Sequence, residues 1–111
     1  MEFSLATSSR CGAAVLSVTG DIDMQTAGAL RTRLADLLAA GESRIVVDLA
    51  AVDFLDSSAL GALVTAVRAQ QEAGGTLRVA AARPSVRKIF EITRLIDVLG
   101  VADSVEDACG T

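Results

Sequence analysis

The chain has 111 residues, of which 51% are hydrophobic and 22% are charged. This length fits one domain over residues 1–111, and the composition supplies a core and excludes an intrinsically disordered chain. The net charge of −4 and the scattered basic residues argue against nucleic acids and anionic membranes as partners, because both require clustered Lys and Arg. With 3% aromatic residues, stacking on bases is not expected either.

The N-terminus and the cysteines indicate where the protein resides. Residues 1–4 (MEFS) lack the basic and apolar regions of a signal peptide, and no apolar run approaches the roughly 20 residues that span a bilayer. Cys11 and Cys109, in a chain without His, have neither the number nor the spacing of a metal site. The sequence leaves their pairing open and favours free thiols. We expect a soluble cytoplasmic protein without metal or cofactor.

Three segments in the first half of the chain predict strands. Residues 13–19 (AAVLSVT) are apolar and β-branched, and residues 3–7 are expected to pair with them as an edge strand across a turn at 10–12. Residues 43–49 (SRIVVDL) contain a continuous apolar run, which is typical of a central strand buried on both faces.

Apolar residues at three- and four-residue spacing predict helices over residues 24–40 and from about 58 to 73. Asp23 is the expected N-cap of the first helix and Gly41 its end. Pro84 suits the first turn of a third helix.

The last third of the chain predicts shorter elements. Residues 76–81 (TLRVAA) are typical of a strand, and residues 98–101 of a short last strand. Residues 103–108 suit a terminal helix in which Ser104 and Asp107 are spaced as a capping pair. Strands separated by helices imply right-handed crossovers, so we predict an α/β domain with a mixed, mostly parallel sheet of four to five strands and about four helices.

Most enzymatic machinery is missing from the sequence. Without His, neither a Ser-His-Asp triad nor a Cys-His pair can form, and no glycine-rich phosphate loop is present. Paired carboxylates can do acid–base chemistry, and the candidate pairs are Asp21 with Asp23 and Asp53 with Asp56. Asp serves far more often as a cap or a loop residue, which favours a protein that is not an enzyme.

The segment Asp56-Ser57-Ser58 lies between a predicted buried strand and a predicted helix. Asp and Ser are preferred N-cap residues, so the segment first indicates the start of a helix. A serine in this place also suits a phosphate group, because the unpaired N–H groups and the helix dipole stabilise added negative charge. The neighbouring Asp56 opposes the phosphate through like-charge repulsion.

Two segments resemble the signature of the STAS domain, the sulfate transporter and anti-sigma factor antagonist domain. Residues 45–49 (IVVDL) and 52–60 (VDFLDSSAL) look like one motif, and residues 20–23 (GDID) look like the turn after the second strand of that family. The predicted element order matches over nearly all of residues 2–109. As a bare domain, the chain is similar to the bacterial anti-sigma factor antagonists.

The resemblance implies partner switching. In this family the unphosphorylated antagonist binds an anti-sigma factor that is also a serine kinase, which frees a sigma factor; phosphorylation ends the complex and a phosphatase resets it. When the roles of the family's residues are transferred to the matching positions of this sequence, Ser57 is the phosphoacceptor, Asp56 is the acidic residue before it, and Ser58 belongs to the docking surface. Asp23 is the acidic residue of the adjacent loop. ATP belongs to the kinase.

One residue departs from the family pattern. Ala59 stands where the family usually has Gly, and Gly61 follows shortly after it. The methyl favours the helix by up to about 1 kcal/mol. If the kinase needs glycine for close approach, the methyl at this partner-binding position weakens docking.

A different class of protein stays open. Small STAS-like domains also serve as constitutive accessory subunits of ABC-type lipid-transport ATPases or of stress-signalling scaffolds. A co-purifying ATPase instead of a kinase-type anti-sigma factor distinguishes this alternative.

Overall fold

The computed structural model describes residues 2–109, and this part of the chain contains four strands and four helices. The elements in chain order are β1 (Ser4–Arg10), β2 (Ala13–Thr19), α1 (Ala27–Ala39), β3 (Arg44–Ala51), α2 (Ser57–Glu72), β4 (Thr76–Ala80), α3 (Pro84–Ile92) and α4 (Val105–Cys109).

The strands form one sheet in the order β1-β2-β3-β4. β1 and β2 are antiparallel, whereas β2 with β3 and β3 with β4 are parallel. Helices α1 and α2 make the two crossovers, as parallel neighbours require. The predicted mixed, mostly parallel sheet of an α/β domain is confirmed.

The helices cover both faces of the sheet, a point that the sequence pattern left undecided. Successive side chains on a strand point to opposite faces, so Val47 packs with α1, α2 and α3 in the larger core, whereas Val46 packs beneath α4. Leu34 of α1, Leu63 of α2 and Phe90 of α3 are fully buried in the larger core. Burial of Val46 and Val47 confirms β3 as a central strand.

Two predicted elements need correction. The first helix begins at Ala27, because residues 24–26 form a turn in front of it. The predicted strand at 98–101 is wrong: this segment is a turn that includes Gly100 at φ +55°. Ala102 after it makes only an isolated parallel bridge with Ala80. A short apolar run was the basis of that prediction, and such a run does not by itself distinguish a strand from a turn.

The other predicted boundaries agree within a few residues. The edge strand extends to Arg10, and α3 begins at Pro84 as expected. Ser104 Oγ accepts a hydrogen bond from Asp107 N over 3.0 Å, which confirms the predicted capping pair in front of α4. Within residues 2–109, no helix has the length and apolar character needed to cross a membrane.

Candidate functional site

Asp56 is the N-cap of α2. Its Oδ1 accepts hydrogen bonds from Ser58 N over 2.9 Å and from Ala59 N over 3.2 Å. Asp56 has extended backbone angles and Ser57 is the first helical residue, so the segment begins a helix as its residue types predicted.

The two serines present free hydroxyl groups. Ser57 is exposed and Ser58 is half-buried. Neither hydroxyl has a hydrogen-bond partner among residues 2–109, because the Asp56 carboxylate takes the backbone N–H groups that a serine cap would take. The Ser57 hydroxyl is therefore accessible, and no hydrogen bond of this group stabilises the described part of the chain.

Asp23 lies in the loop between β2 and α1 and organises the turn that precedes the helix. Its Oδ1 accepts from Gln25 N over 2.9 Å and from Thr26 N over 3.2 Å. Thr26 Oγ1 in turn accepts from Asp23 N over 2.9 Å and donates to the carbonyl of Asp21 over 3.0 Å. The N-cap residue of α1 is Thr26, whose side chain makes no capping hydrogen bond. The prediction that Asp23 is the N-cap is therefore wrong, and Asp23 instead caps the turn that precedes the helix.

Backbone hydrogen bonds join the Asp23 loop to the start of α2. Ile22 N donates to the Phe54 carbonyl over 3.0 Å, and Asp56 N donates to the Ile22 carbonyl over 3.1 Å. Gly20 N also donates to Ala51 O over 3.1 Å. Gly20 has φ +94°, and a Cβ there would lie 3.0 Å from the Cα of Phe3, so this position requires glycine.

A third loop, after β4, braces the same edge of the sheet. Arg83 forms an ion pair with Asp53, and its Nε donates to the Ala50 carbonyl over 2.7 Å. Arg83 was not predicted as part of this edge, because no local pattern connects it to a carboxylate thirty residues earlier.

Two large apolar side chains are exposed next to the acidic residues. Met24 is 80% exposed beside Asp23, and Phe54 is 49% exposed two residues before Asp56. We call the group of Asp23, Met24, Phe54, Asp56, Ser57 and Ser58 the Ser57 surface. Exposed apolar anchors beside polar residues are typical of a protein-docking surface. The available sequence signal for Phe54 was an apolar residue between two acidic ones, Asp53 and Asp56, and for Met24 it was an apolar residue directly after Asp23.

Ala59 and Gly61 occupy different environments. The Ala59 side chain is fully buried against the core, so its methyl does not face solvent. Gly61 is exposed, and a Cβ there would have no neighbour within 4 Å among the described residues. Gly61 lies four residues after Ser57 and therefore on the same side of α2.

The carboxylates that were candidates for acid–base chemistry mostly have structural partners. Asp53 is ion-paired with Arg83, Asp56 caps α2, and Asp23 caps the turn before α1. The described residues contain no group of three or more His, Cys, Asp or Glu placed to hold a metal ion. The arrangement suits binding by another protein.

Comparison with known proteins agrees with this geometry. The family model of the STAS domain matches residues 4–108. The chain belongs to the STAS domain family.

Two relatives of this STAS protein are named as anti-sigma factor antagonists. The anti-sigma-B factor antagonist of Bacillus subtilis is 28% identical over 91 residues, which cover 82% of this chain and 83% of that protein. The anti-sigma-F factor antagonist RsfB of Mycobacterium tuberculosis is 45% identical over 49 residues, covering 44% of this chain and 40% of the relative.

A solved structure is also similar to the chain. The crystal structure of an anti-sigma factor antagonist from Mycobacterium paratuberculosis superposes with a TM-score of 0.84 at 29% identity. The match covers 98% of this chain and 92% of that one. The predicted resemblance to the STAS anti-sigma factor antagonists is thus confirmed at the level of the family.

Proposed function

We propose that this STAS protein is an anti-sigma factor antagonist whose binding is switched off by phosphorylation of Ser57. The observation that carries the proposal is the exposed, unpartnered Ser57 hydroxyl at the start of α2, where Asp56 already caps the helix. The relatives named above support the class of function. In this proposal the protein acts in the cytoplasm and catalyses no reaction.

The partner in this proposal is an anti-sigma factor that is also a serine kinase. It docks on the Ser57 surface, with Met24 and Phe54 as apolar anchors and Asp23 as a polar contact at the rim. Ala59 contributes by packing the first turn of α2 onto the core, not by direct contact. Docking competes with sigma-factor binding and frees the sigma factor.

Phosphorylation transfers the γ-phosphoryl group of ATP to Ser57 Oγ, which loses its proton, and ADP leaves. The N-terminus of α2 tolerates the phosphate because the positive end of the helix dipole favours negative charge, even though Asp56 already accepts from Ser58 N and Ala59 N. The product adds about two negative charges beside Asp56 and Asp23. Binding of the partner would remove these charges from water and place them in an apolar interface. This desolvation costs a large amount of free energy, so the complex dissociates.

A direct test is incubation of the protein with ATP and each kinase-type anti-sigma factor of the producing organism. The wild type is expected to gain one phosphate at Ser57, identified by peptide mapping. Ser57→Ala should abolish the gain, and Ser58→Ala, the matched control, should retain it. A phosphatase of the same organism should remove the group.

Two results would overturn the assignment. Phosphate on Ser58 and not on Ser57 would refute the residue. Absence of phosphate with every such kinase, together with stable co-purification of an ABC-type ATPase, would instead support the constitutive accessory subunit.

A further inference from the structure

The hairpin turn that joins β1 to β2 contains Cys11. Arg10 pairs with Ala13, so Cys11 and Gly12 form a two-residue loop, with φ +54° and φ +76°. A loop of this kind needs positive φ at both positions, where Gly, Asn and Asp are preferred. A cysteine there is unusual. Its side chain is exposed at the turn.

The other cysteine lies at the same end of the sheet. Cys109 ends α4 and is buried in the small core that this helix forms with Ala13 and Val15 of β2. Arg10 of the hairpin is ion-paired with Glu106 of α4, so a second contact holds the helix against the turn.

Arg44 connects the two cysteines directly. Its Nη1 donates to the Cys11 carbonyl over 3.4 Å, and its Nη2 donates to the Cys109 carbonyl. One guanidinium group therefore fixes the backbone of both residues. Hydrogen bonding to the Cys11 side chain, together with burial, raises the pKa of the Cys109 thiol, which agrees with two thiols held close together by Arg44.

We infer that Cys11 and Cys109 are a redox modification site, at which peroxide converts the two adjacent thiols to a reversible disulfide that fastens α4 to the β1–β2 turn. The site is separate from the Ser57 surface. Cys11 precedes the amino end of β2, whereas Ser57 follows the carboxyl end of β3, and these two strands are parallel. The inference does not depend on the proposed function.

The two sulfur atoms have different roles in the reaction, because Cys11 is exposed and Cys109 is buried. The thiolate of Cys11 attacks one oxygen of hydrogen peroxide; the O–O bond breaks, giving a sulfenic acid on Cys11 and one water once the leaving hydroxide takes up a proton. The Cys109 sulfur then attacks the Cys11 sulfur, the S–O bond breaks, and the hydroxyl leaves with the Cys109 proton as a second water. Two thiols lose two electrons, and one peroxide is reduced to two waters.

A cross-link between positions 11 and 109 closes a loop of almost the entire chain, the case in which a disulfide restricts the unfolded state most. The oxidised protein is therefore expected to unfold at a temperature about 10 °C or more above that of the reduced protein. Reduction with dithiothreitol should return the melting temperature to its original value.

The experiment treats the reduced wild-type chain with one equivalent of hydrogen peroxide. We expect a monomer lighter by about two mass units, the two hydrogens. A peptide containing both cysteines should appear under non-reducing conditions, together with the rise in melting temperature. Cys11→Ser, which keeps the size of the side chain at the turn, should show neither the mass loss nor the rise.

Either of two results would overturn the inference. One is Cys11 carrying added oxygen while Cys109 stays available for alkylation after unfolding. The other is a disulfide-linked dimer formed through Cys11, since that would show that the exposed thiol reacts with a second chain before it reacts with Cys109.

Discussion

Ile22 and Leu55 pair as an isolated parallel bridge, and both side chains are buried. The bridge extends the pairing of β2 and β3 beyond the ends of those strands. It holds the loop that carries Asp23 beside the start of α2, where Ser57 lies. A surface built from two loops is thereby fixed by the backbone of the sheet, which suits rigid docking of a partner.

Replacement of Asp56 tests the cap. Asp56→Ala removes the acceptor of two backbone N–H groups and is expected to lower the free energy of unfolding by about 1 kcal/mol. Asp56→Asn keeps an acceptor oxygen and should change stability by only a few tenths of a kcal/mol. Urea denaturation of the three proteins measures this. Equal losses in both variants would show that the charge, and not the cap, is what matters.

Gly61 tests close approach of the partner to α2. Gly61→Leu adds a side chain on the Ser57 side of the helix, where nothing in the described chain obstructs it. The fold should be retained, and affinity for the anti-sigma factor should fall by about tenfold, because overpacking an interface costs on the order of 1–3 kcal/mol. Titration calorimetry measures the affinity. The matched control Gln71→Leu places the same side chain at the exposed far end of α2 and should bind normally.

Gln70 is the buried polar residue of α2. Its Nε2 donates to the Glu42 carbonyl over 2.6 Å and to the Thr76 carbonyl over 3.3 Å. Gln70→Leu leaves both carbonyls without this donor and should lower the free energy of unfolding by about 1–3 kcal/mol. Gln71→Leu, at the exposed neighbour, should stay within about 0.5 kcal/mol of the wild type. Similar losses for the two variants in urea denaturation would refute this role of Gln70.

Alkaline pH tests the cysteine contact in the reduced protein. The folded state raises the pKa of Cys109 above its ordinary 9.0, so the folded chain holds this proton more tightly than the unfolded chain does. The resulting stability is present below 9.0 and is lost as pH rises through the raised pKa. The chain has no Tyr and one Lys, so few other groups titrate in this range.

The measurement is the free energy of unfolding in urea with a reductant, from about pH 8 to about pH 10.5. It should decline in the wild type and decline less in Cys109→Ala. Parallel curves for the two proteins would contradict the coupling of this thiol to stability.

Periodic features were predictable from the sequence, because apolar spacing reports directly which face of an element is buried. The helical character of α2 was found in this way, whereas the strand through Val46 and Val47 was predicted from a continuous apolar run and the start of α2 from the capping preference of Asp56. The turn at 98–101 was not predicted, since its apolar residues do not share one environment: Leu99 is buried, whereas Val98 is 44% exposed.

Contacts between residues far apart in the chain could not be predicted from sequence patterns. The ion pair of Arg83 with Asp53, and the guanidinium of Arg44 between two cysteines, join residues far apart in the chain. The exposure of Met24 was also missed, because an apolar residue at the predicted start of α1 was assigned to the helix.

The most direct test of the proposed switch is the affinity of a kinase-type anti-sigma factor for the chain with and without negative charge at position 57. Titration calorimetry without ATP should show Ser57→Ala binding like the wild type. Ser57→Asp should bind at least about tenfold more weakly, because a desolvated charge costs more than the roughly 1.4 kcal/mol of a tenfold change. Ser8→Asp, the same charge on exposed β1, should bind normally. If Ser57→Asp bound as tightly as the wild type, the Ser57 surface would not be the switch.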